Sequence, residues 1–324
     1  MDRRSFVIGT TALAAAGPVF AQDTFPSHAV TILNAFPPGG ANDIATRPFA
    51  SALEAVVKQP VVVETKAGAG GQVGAQVAAN AKPDGYTLLS HNNGLSGYEE
   101  VDKLFGRQPK TTRADFIPLA RLIADPVLVL VNDQQPYKML KDLIEDAKKR
   151  PEAIIYSSGG LYGATHLPVA LLEKATGIPK LRHLPTNGGG PAVTALLGNN
   201  AQMSTQTISA SLPHIKAGKL RALASFGGKR SPSVPEVPTL KELGYDVEYY
   251  LWVGIFAPKG TPANIVATLS AAIDKAGTSD AYKTAMSNAG LQADYLNAAA
   301  FAKFWAEDSK RSDEAVKLIG RVQG

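Results

Sequence analysis

Four glycine-rich turns carry the clearest chemical signal in this sequence. The first is Phe36-Pro37-Pro38-Gly39-Gly40-Ala41-Asn42-Asp43, and the second is Ala67-Gly68-Ala69-Gly70-Gly71-Gln72-Val73-Gly74. The third runs from Ser157 through Gly159, Gly160 and Gly163 to Thr165. The fourth is Pro185-Thr186-Asn187-Gly188-Gly189-Gly190, with Pro191 expected as a first helical residue and Gly198 closing that helix. Each turn falls between a run that reads as a strand and one that reads as a helix. Glycine lets a backbone come close to a ligand, and a helix N-terminus presents unpaired N–H groups with partial positive charge. A carboxylate or phosphate is the natural guest. One helix end contributes only about 0.3–1 kcal/mol, or about 2 when sheltered, whereas micromolar binding needs about 8 kcal/mol. Several turns must therefore converge on one ligand and exclude water.

Enzymatic patterns fit less well. Gly68 to Gly74 is like a dinucleotide fingerprint, but its third glycine stands one place late for G-x-G-x-x-G. No Walker lysine follows any of the turns, and Gly94-Leu95-Ser96-Gly97 is out of register for a nucleophile elbow. The histidines, His28, His91, His166, His183 and His214, show no metal-ligand spacing. Of these, His91 follows the third strand and is the one placed to face a cleft. With no cysteine in the chain, disulfides, thiolate metal sites and cysteine nucleophiles are excluded. Glu99 and Glu100 are adjacent and point apart, so they make a poor acid–base pair. Trp252 and Phe256 read as core rather than as a ligand stack.

The elements that must position these turns read as an α/β chain. Ala29–Phe36, Val61–Glu64 and Tyr86–Leu89 are the first strands, near-continuous in apolar character as parallel strands covered on both faces are. A helix between the first two carries Phe49, Ala52, Leu53, Val56 and Val57 on one side, with Pro48 disturbing its start. A second cycle begins at Val127–Val131. Leu140, Leu143, Ile144 and Ala147 then form a helical stripe, with Lys148, Lys149 and Arg150 at the negative end and Pro151 as the stop. Ala153–Tyr156, Leu181–Leu184 and Leu220–Ala224 are further strands, and Tyr249–Phe256 is a long one. Beyond it only helices are expected, one of them capped by Thr261-Pro262. Two α/β cycles and a helical tail imply two lobes, the tail returning to the first.

Composition frames the remaining possibilities. At 324 residues, 45% hydrophobic and 19% charged, the chain is long enough for two cores and too polar for a multi-span membrane protein. Its formal charge of +5 includes no basic block, which argues against a nucleic-acid partner. Arg3-Arg4-Ser5-Phe6, a short apolar run over Val7–Ala16 and small residues at Val19 and Ala21 form a three-part export signal. Either the general secretory or the twin-arginine route suits it. Cleavage after Ala21 leaves a chain free in the periplasm.

From about residue 25 onward the ordered segments resemble the substrate-binding receptors of tripartite tricarboxylate transporters, the Bug family. Those segments are Pro37-Pro38-Gly39-Gly40 with Asp43 and Arg47, then Gly68-Ala69-Gly70-Gly71 with Gly74. Ser158-Gly159-Gly160 with Gly163, Thr165, His166 and Leu167 follows, as does Gly188-Gly189 with Pro191-Ala192 and Leu196-Leu197-Gly198. Leu212-Pro213-His214-Ile215, Gly218–Ala224, Val237-Pro238-Thr239 and Phe256-Ala257-Pro258 with Gly260-Thr261-Pro262 complete the order.

The resemblance implies a two-lobed periplasmic binding protein, type II-like, each lobe a mainly parallel sheet flanked by helices, with the ligand in the interlobe cleft. Residues 25–124 would form the first part of lobe 1, 125–247 lobe 2, and 248–324 the return to lobe 1. A small organic acid, a mono- or dicarboxylate with a polar or aromatic body, would be held by backbone amides and hydroxyls rather than by arginine. The first-lobe contacts would be Phe36, Gly39, Gly40, Ala41 and Asn42, with the turn His91-Asn92-Asn93. The second-lobe contacts would be Ser158, Gly159, Thr165, Thr186, Asn187, Gly188, Gly189, Gly190 and Gln206. Asp43 would start a helix without touching the acid. No catalytic residue, metal or cofactor is implied. The partners would be membrane permease subunits, and the receptor itself a monomer. Family members often carry Tyr-Lys where this chain has Thr186-Asn187. Many have an acidic residue or Asn in the region that here reads Thr205-Gln206-Thr207-Ile208-Ser209, so the acid is not transferable from a relative. Two other readings stay open: a secreted dinucleotide-dependent oxidoreductase using Gly68 to Gly74, and a ligand-carrying partner of a sensor.

Overall fold

The computed structural model describes residues 25–291 and 293–322; the expected export signal, 1–21, lies outside them. The chain opens with β1 (Val30–Asn34), α1 (Ala41–Val57), β2 (Val61–Thr65), α2 (Gln72–Ala79), β3 (Thr87–Asn92) and α3 (Gly94–Leu104). A 17-residue strand, β4 (Phe116–Asn132), leads to the second cycle. That cycle contains α4 (Leu140–Lys149), β5 (Ile155–Ser158), α5 (Leu167–Thr176), β6 (Arg182–Pro185), α6 (Gly189–Leu197), β7 (Met203–Thr207), α7 (Ile208–Lys216) and β8 (Leu220–Ser225). The chain returns through β9 (Tyr250–Pro258) to α8 (Ala263–Gly277), α9 (Asp280–Asn288), β10 (Leu296–Asn297) and α10 (Ala298–Ile319).

These elements form where sequence chemistry allows them. The stripe of α1 buries Ala45, Phe49, Ala52 and Leu53 against the first sheet. Pro48 sits inside α1, not at its start; the lost backbone bond is tolerated where packing on both sides holds the helix. Leu140, Leu143, Ile144 and Ala147 are the buried face of α4, as their spacing requires. Gly177 ends α5 in the left-handed region with its N–H on the Glu173 carbonyl.

Two sheets share β4. In the first, β1 pairs in parallel with β2 and β3, while β9 runs antiparallel between β3 and β4. In the second, β5 pairs in parallel with β6 and β7, and β4 is antiparallel to β7 and β8. Residues 116–126 of β4 pair with β9, and 127–132 pair with β7 and β8. The architecture is the two-lobed α/β fold expected, with parallel outer strands and antiparallel crossing strands.

Three local expectations are corrected and one strand is added. β3 continues through His91 and Asn92, so these close a strand instead of forming a turn. β4 begins eleven residues before Val127, at Phe116. The polar segment Met203–Thr207 is a strand buried at every position. Finally, β10 interrupts the helical tail by pairing with β4 at Ala120 and Arg121.

Candidate ligand-binding site between the lobes

In each lobe the middle strand of the parallel trio is the first in chain order, giving the orders β2-β1-β3 and β6-β5-β7. The chain leaves β1 and β3, and likewise β5 and β7, toward opposite sides. That is the topological switch point where open α/β sheets leave a crevice at the carboxyl ends of their strands. The two crevices face each other. One pocket receives Phe36, Gly40, Ala41 and Asn42 from the turn after β1 and Asn92 from the end of β3. From the other lobe come Gly159, Gly163, Ala164 and Thr165 after β5, Gln206 and Thr207 at the end of β7, and Gly189 after β6. Leu251 of β9 closes the floor. The cavity volume is about 30 Å³, well under the roughly 300–1,000 Å³ usual for small-molecule sites, so the cleft stands closed.

None of these lining residues is charged. Polarity comes from two helix ends instead. α1 starts after Gly40 and α6 after Gly188, and neither N-cap supplies a side-chain hydrogen bond. The ends abut: a Cβ on Gly40 would stand 3.5 Å from both the Gly189 and Gly190 nitrogens. Two partially positive termini therefore point into the same uncharged pocket. Side chains brace the rest. Asn92 Nδ2 donates to Asn42 Oδ1 at 2.9 Å, and the Gly94 N–H donates to Asn92 Oδ1 at 3.0 Å. Thr165 Oγ1 accepts the Gly159 N–H at 2.7 Å, which leaves its own hydroxyl proton available. Gln206 Nε2 is held on Ser204 Oγ at 3.1 Å.

The structure thus brings Phe36, Gly40, Ala41, Asn42, Asn92, Gly159, Thr165, Gly189 and Gln206 together. It places the other expected contacts elsewhere. His91 is wholly buried behind Phe36; its Nδ1 lies 2.9 Å from both the nitrogen and the carbonyl oxygen of Asn92, and its Nε2 lies 2.9 Å from the Tyr98 oxygen and 3.3 Å from the Gly71 carbonyl. Burial pushes the ring down to about 4, and it is neutral. Asn93 turns away, donating to the Tyr249 hydroxyl at 2.7 Å. The Ser158 hydroxyl meets His183 Nε2 at 2.7 Å, and Thr186 Oγ1 donates to the Ser158 carbonyl at 2.9 Å, so both shape turns rather than line the pocket. Asn187 is exposed, Gly188 packs on Pro37, and Gly39 and Gly190 line an outer groove. Asp43 behaves as expected, accepting the Gly39 N–H and pairing with Arg47 at 2.6 Å.

Four lining residues escaped the sequence reading. Gly163 and Ala164 lie inside the third turn, whose irregular path hid which residues face inward. Thr207 adjoins Gln206 on a strand with no apolar rhythm, and Leu251 resembles any core leucine. A fifth residue acts from behind. Asp125, fully buried on β4 opposite Leu251, accepts the N–H groups of Ile208 (3.2 Å) and Ser209 (3.1 Å) and so caps α7 directly after the Gln206-Thr207 wall. Burial outweighs those bonds and pushes its carboxyl up to about 7.

The second glycine turn is filled by protein. A Cβ on Gly71 would lie 2.5 Å from His91 Nε2, and one on Gly74 2.7 Å from the Ala35 Cα. The Tyr98 hydroxyl donates to the Gly70 carbonyl at 2.8 Å. This turn packs a helix onto a strand and leaves no cradle for a pyrophosphate, which overturns the dinucleotide reading.

Fold and pocket define a two-lobed binding protein with a closed, uncharged cleft. Comparison with known proteins is specific about which kind. Residues 45–321 match the family model described as tripartite tricarboxylate transporter family receptor. Protein BugT of Bordetella pertussis is 35% identical over 300 residues, covering 90% of this chain and 89% of BugT. Among solved structures, MatC of Rhodopseudomonas palustris with bound malate superposes with a TM-score of 0.82 at 28% identity, covering 90% of this chain and 99% of MatC. A second R. palustris protein, with adipate, gives 0.84 at 27% identity, covering 91% and 98%. The chain belongs to the tripartite tricarboxylate transporter receptor family. It is a solute-binding receptor and not an enzyme.

Proposed function

We propose that this receptor works in the periplasm, captures one small organic carboxylate by closing its lobes, and delivers it to membrane permease subunits of the tripartite tricarboxylate type. The observation that carries the reading is the pair of uncapped helix ends, α1 and α6, abutting across a pocket with no charged wall. An anion between them satisfies N–H groups of both lobes at once, so binding favours the closed state. Malate and adipate in the two solved relatives support a carboxylate here. On this reading lobe 1 is 25–124 with 248–324, lobe 2 is 125–247, and closure bends β4 and β9 where β4 changes partners. Phe36, Gly40, Ala41, Asn42, Asn92, Gly159, Thr165, Gly189 and Gln206 are the ligand's contacts.

The test is the melting temperature of residues 22–324 against mono-, di- and tricarboxylates, aromatic acids, amino acids and NAD. A ligand at 100 times its dissociation constant stabilises by about 2.7 kcal/mol, a rise of several degrees for a chain this size. A response to one carboxylate class, lost in Gly189→Val, is the expected result. Stabilisation by NAD alone, or by no carboxylate, overturns the reading.

A further inference from the structure

Gly190 stands in the first turn of α6, on the far side of the interlobe contact from the pocket. Gly40 and Gly189 face the pocket, whereas Pro38, Gly39 and Gly190 face the outer groove. Its backbone is helical, and within α6 the following Pro191 disfavours that conformation for a residue that carries a Cβ. The stricter demand comes from the other lobe, because a Cβ on Gly190 would overlap the Pro38 carbonyl oxygen and lie 3.5 Å from the Gly39 carbonyl carbon.

Its neighbours are constrained differently. Gly188 has φ +153°, so its own backbone requires glycine wherever the lobes stand. A Cβ on Gly189 would meet Gln206 Oε1 at 3.1 Å, inside the pocket. Of the three, Gly190 is the one whose added Cβ would meet only the opposing lobe's backbone. The opposing surface cannot easily yield: the Gly39 N–H is tied to Asp43 Oδ2 at 3.3 Å, and Asp43 is fixed by Arg47. Backbone meets backbone on both sides, and closely packed backbones pass a misfit on as displacement instead of absorbing it.

We propose that Gly190 is a closure-positioning residue: its bare Cα lets α6 seat against Pro38 and so sets how far the lobes approach around the ligand. This rests on the receptor reading above. A methyl group here would hold the two helix ends apart and leave each lobe's own contacts intact.

The experiment compares wild type with Gly190→Ala, and with Gly190→Ser as a second variant, using the carboxylate that most stabilises the wild type. Calorimetric affinity, the melting temperature without ligand, and small-angle scattering with and without ligand are measured. Without ligand, Gly190→Ala should melt within a few degrees of the wild-type temperature, since with the lobes apart only the local strain before Pro191 acts. Its affinity should fall on the order of a hundredfold, as the closed state drops to about one molecule in a hundred. Scattering should show the wild type compacting with ligand and the variants not. Affinity within about twofold of wild type, with full compaction, overturns the inference. So does a variant that melts well below wild type without ligand, because α6 itself would then need the glycine. A wild type that neither binds nor compacts with any carboxylate overturns the receptor reading itself, an outcome distinct from a change confined to the variants.

Discussion

Gly71 and Gly189 look alike in the sequence, each in a glycine pair that opens a helix, yet they serve different ends. Gly71 has φ +97°, and its missing Cβ leaves room for His91, Phe36 and Tyr98. Gly71→Ala would combine left-handed strain of about 1–2 kcal/mol with overpacking of about 1–3 kcal/mol. Urea unfolding should show a loss of about 2–5 kcal/mol, and affinity should weaken through the displaced Phe36. Gly189→Val should do the reverse, abolishing binding with a small change in stability, since its Cβ meets only Gln206 and Gly40 across the pocket. Equal effects of both variants on stability would refute this division. Glycine's turns were legible because no other residue type supplies that backbone. Which glycine meets ligand and which meets protein was not, because the deciding partner lies far away in the chain: His91 for Gly71, Pro38 for Gly190. His91 misled for a related reason. A histidine at a strand end reads as a cleft residue until Tyr98, one helical turn into α3, is seen to hydrogen-bond its Nε2.

At the scale of elements, hydrophobic rhythm revealed most strands and helices and missed those whose polar side chains are answered by neighbours. β7, Met-Ser-Thr-Gln-Thr, is buried throughout because Ser204 Oγ donates to the Ser157 carbonyl at 2.7 Å and Thr205 Oγ1 to the Thr165 carbonyl at 2.5 Å. Such a strand is specified by its partners, and β7 carries a wall of the pocket. Asp125 belongs to the same problem, since an acid before Pro126 in an apolar run reads as a break rather than as a cap. Removing its carboxyl in Asp125→Ala leaves two N–H groups of α7 unpaired, at about 1–3 kcal/mol each. Asp125→Asn keeps one acceptor and should cost less. Its pH dependence has a definite sign. A folded carboxyl raised to about 7 holds its proton where the unfolded chain has lost it, so the wild type loses stability as pH rises from about 4 to 7. The penalty of Asp125→Asn should therefore shrink between pH 5 and pH 8, on the order of 1–3 kcal/mol. A penalty that stays constant or grows contradicts the burial argument.

For the whole molecule, stability and binding should answer to pH separately. His91, His166 and His183 are held neutral by burial at about 4, 3 and 4, with His183 beside His166 lowering the latter further. Each unfolded ring titrates near 6.5, so the unfolded chain binds more protons between pH 6.5 and about 4. Stability is complete above 6.5 and falls as the pH drops through that window. The carboxyls of Asp125, Glu173, Asp308 and Asp313, raised by burial, oppose this, that of Asp125 reaching about 7. All three rings sit behind the turns, where His183 meets Ser158 and the Tyr162 N–H reaches His166 Nδ1 at 2.8 Å. Among the described residues no titrating group lines the pocket itself. An anion held only by neutral N–H groups and hydroxyls gains or loses no proton when it binds, provided its own acid is already ionised. Unfolding free energy should therefore decline steadily from pH 7 to pH 5, while the dissociation constant for a fully ionised carboxylate stays within about twofold from pH 6 to pH 8. His183→Phe, which keeps a ring to stack on Tyr156, should flatten the stability slope and leave affinity flat. A dissociation constant that moves about tenfold over that range would mean a proton is taken up on binding. If it moves likewise in Asp125→Asn, which removes the group titrating near 7 behind the Gln206-Thr207 wall, a charged or titrating group would have to be counted among the ligand's contacts, against the uncharged pocket on which the receptor reading rests.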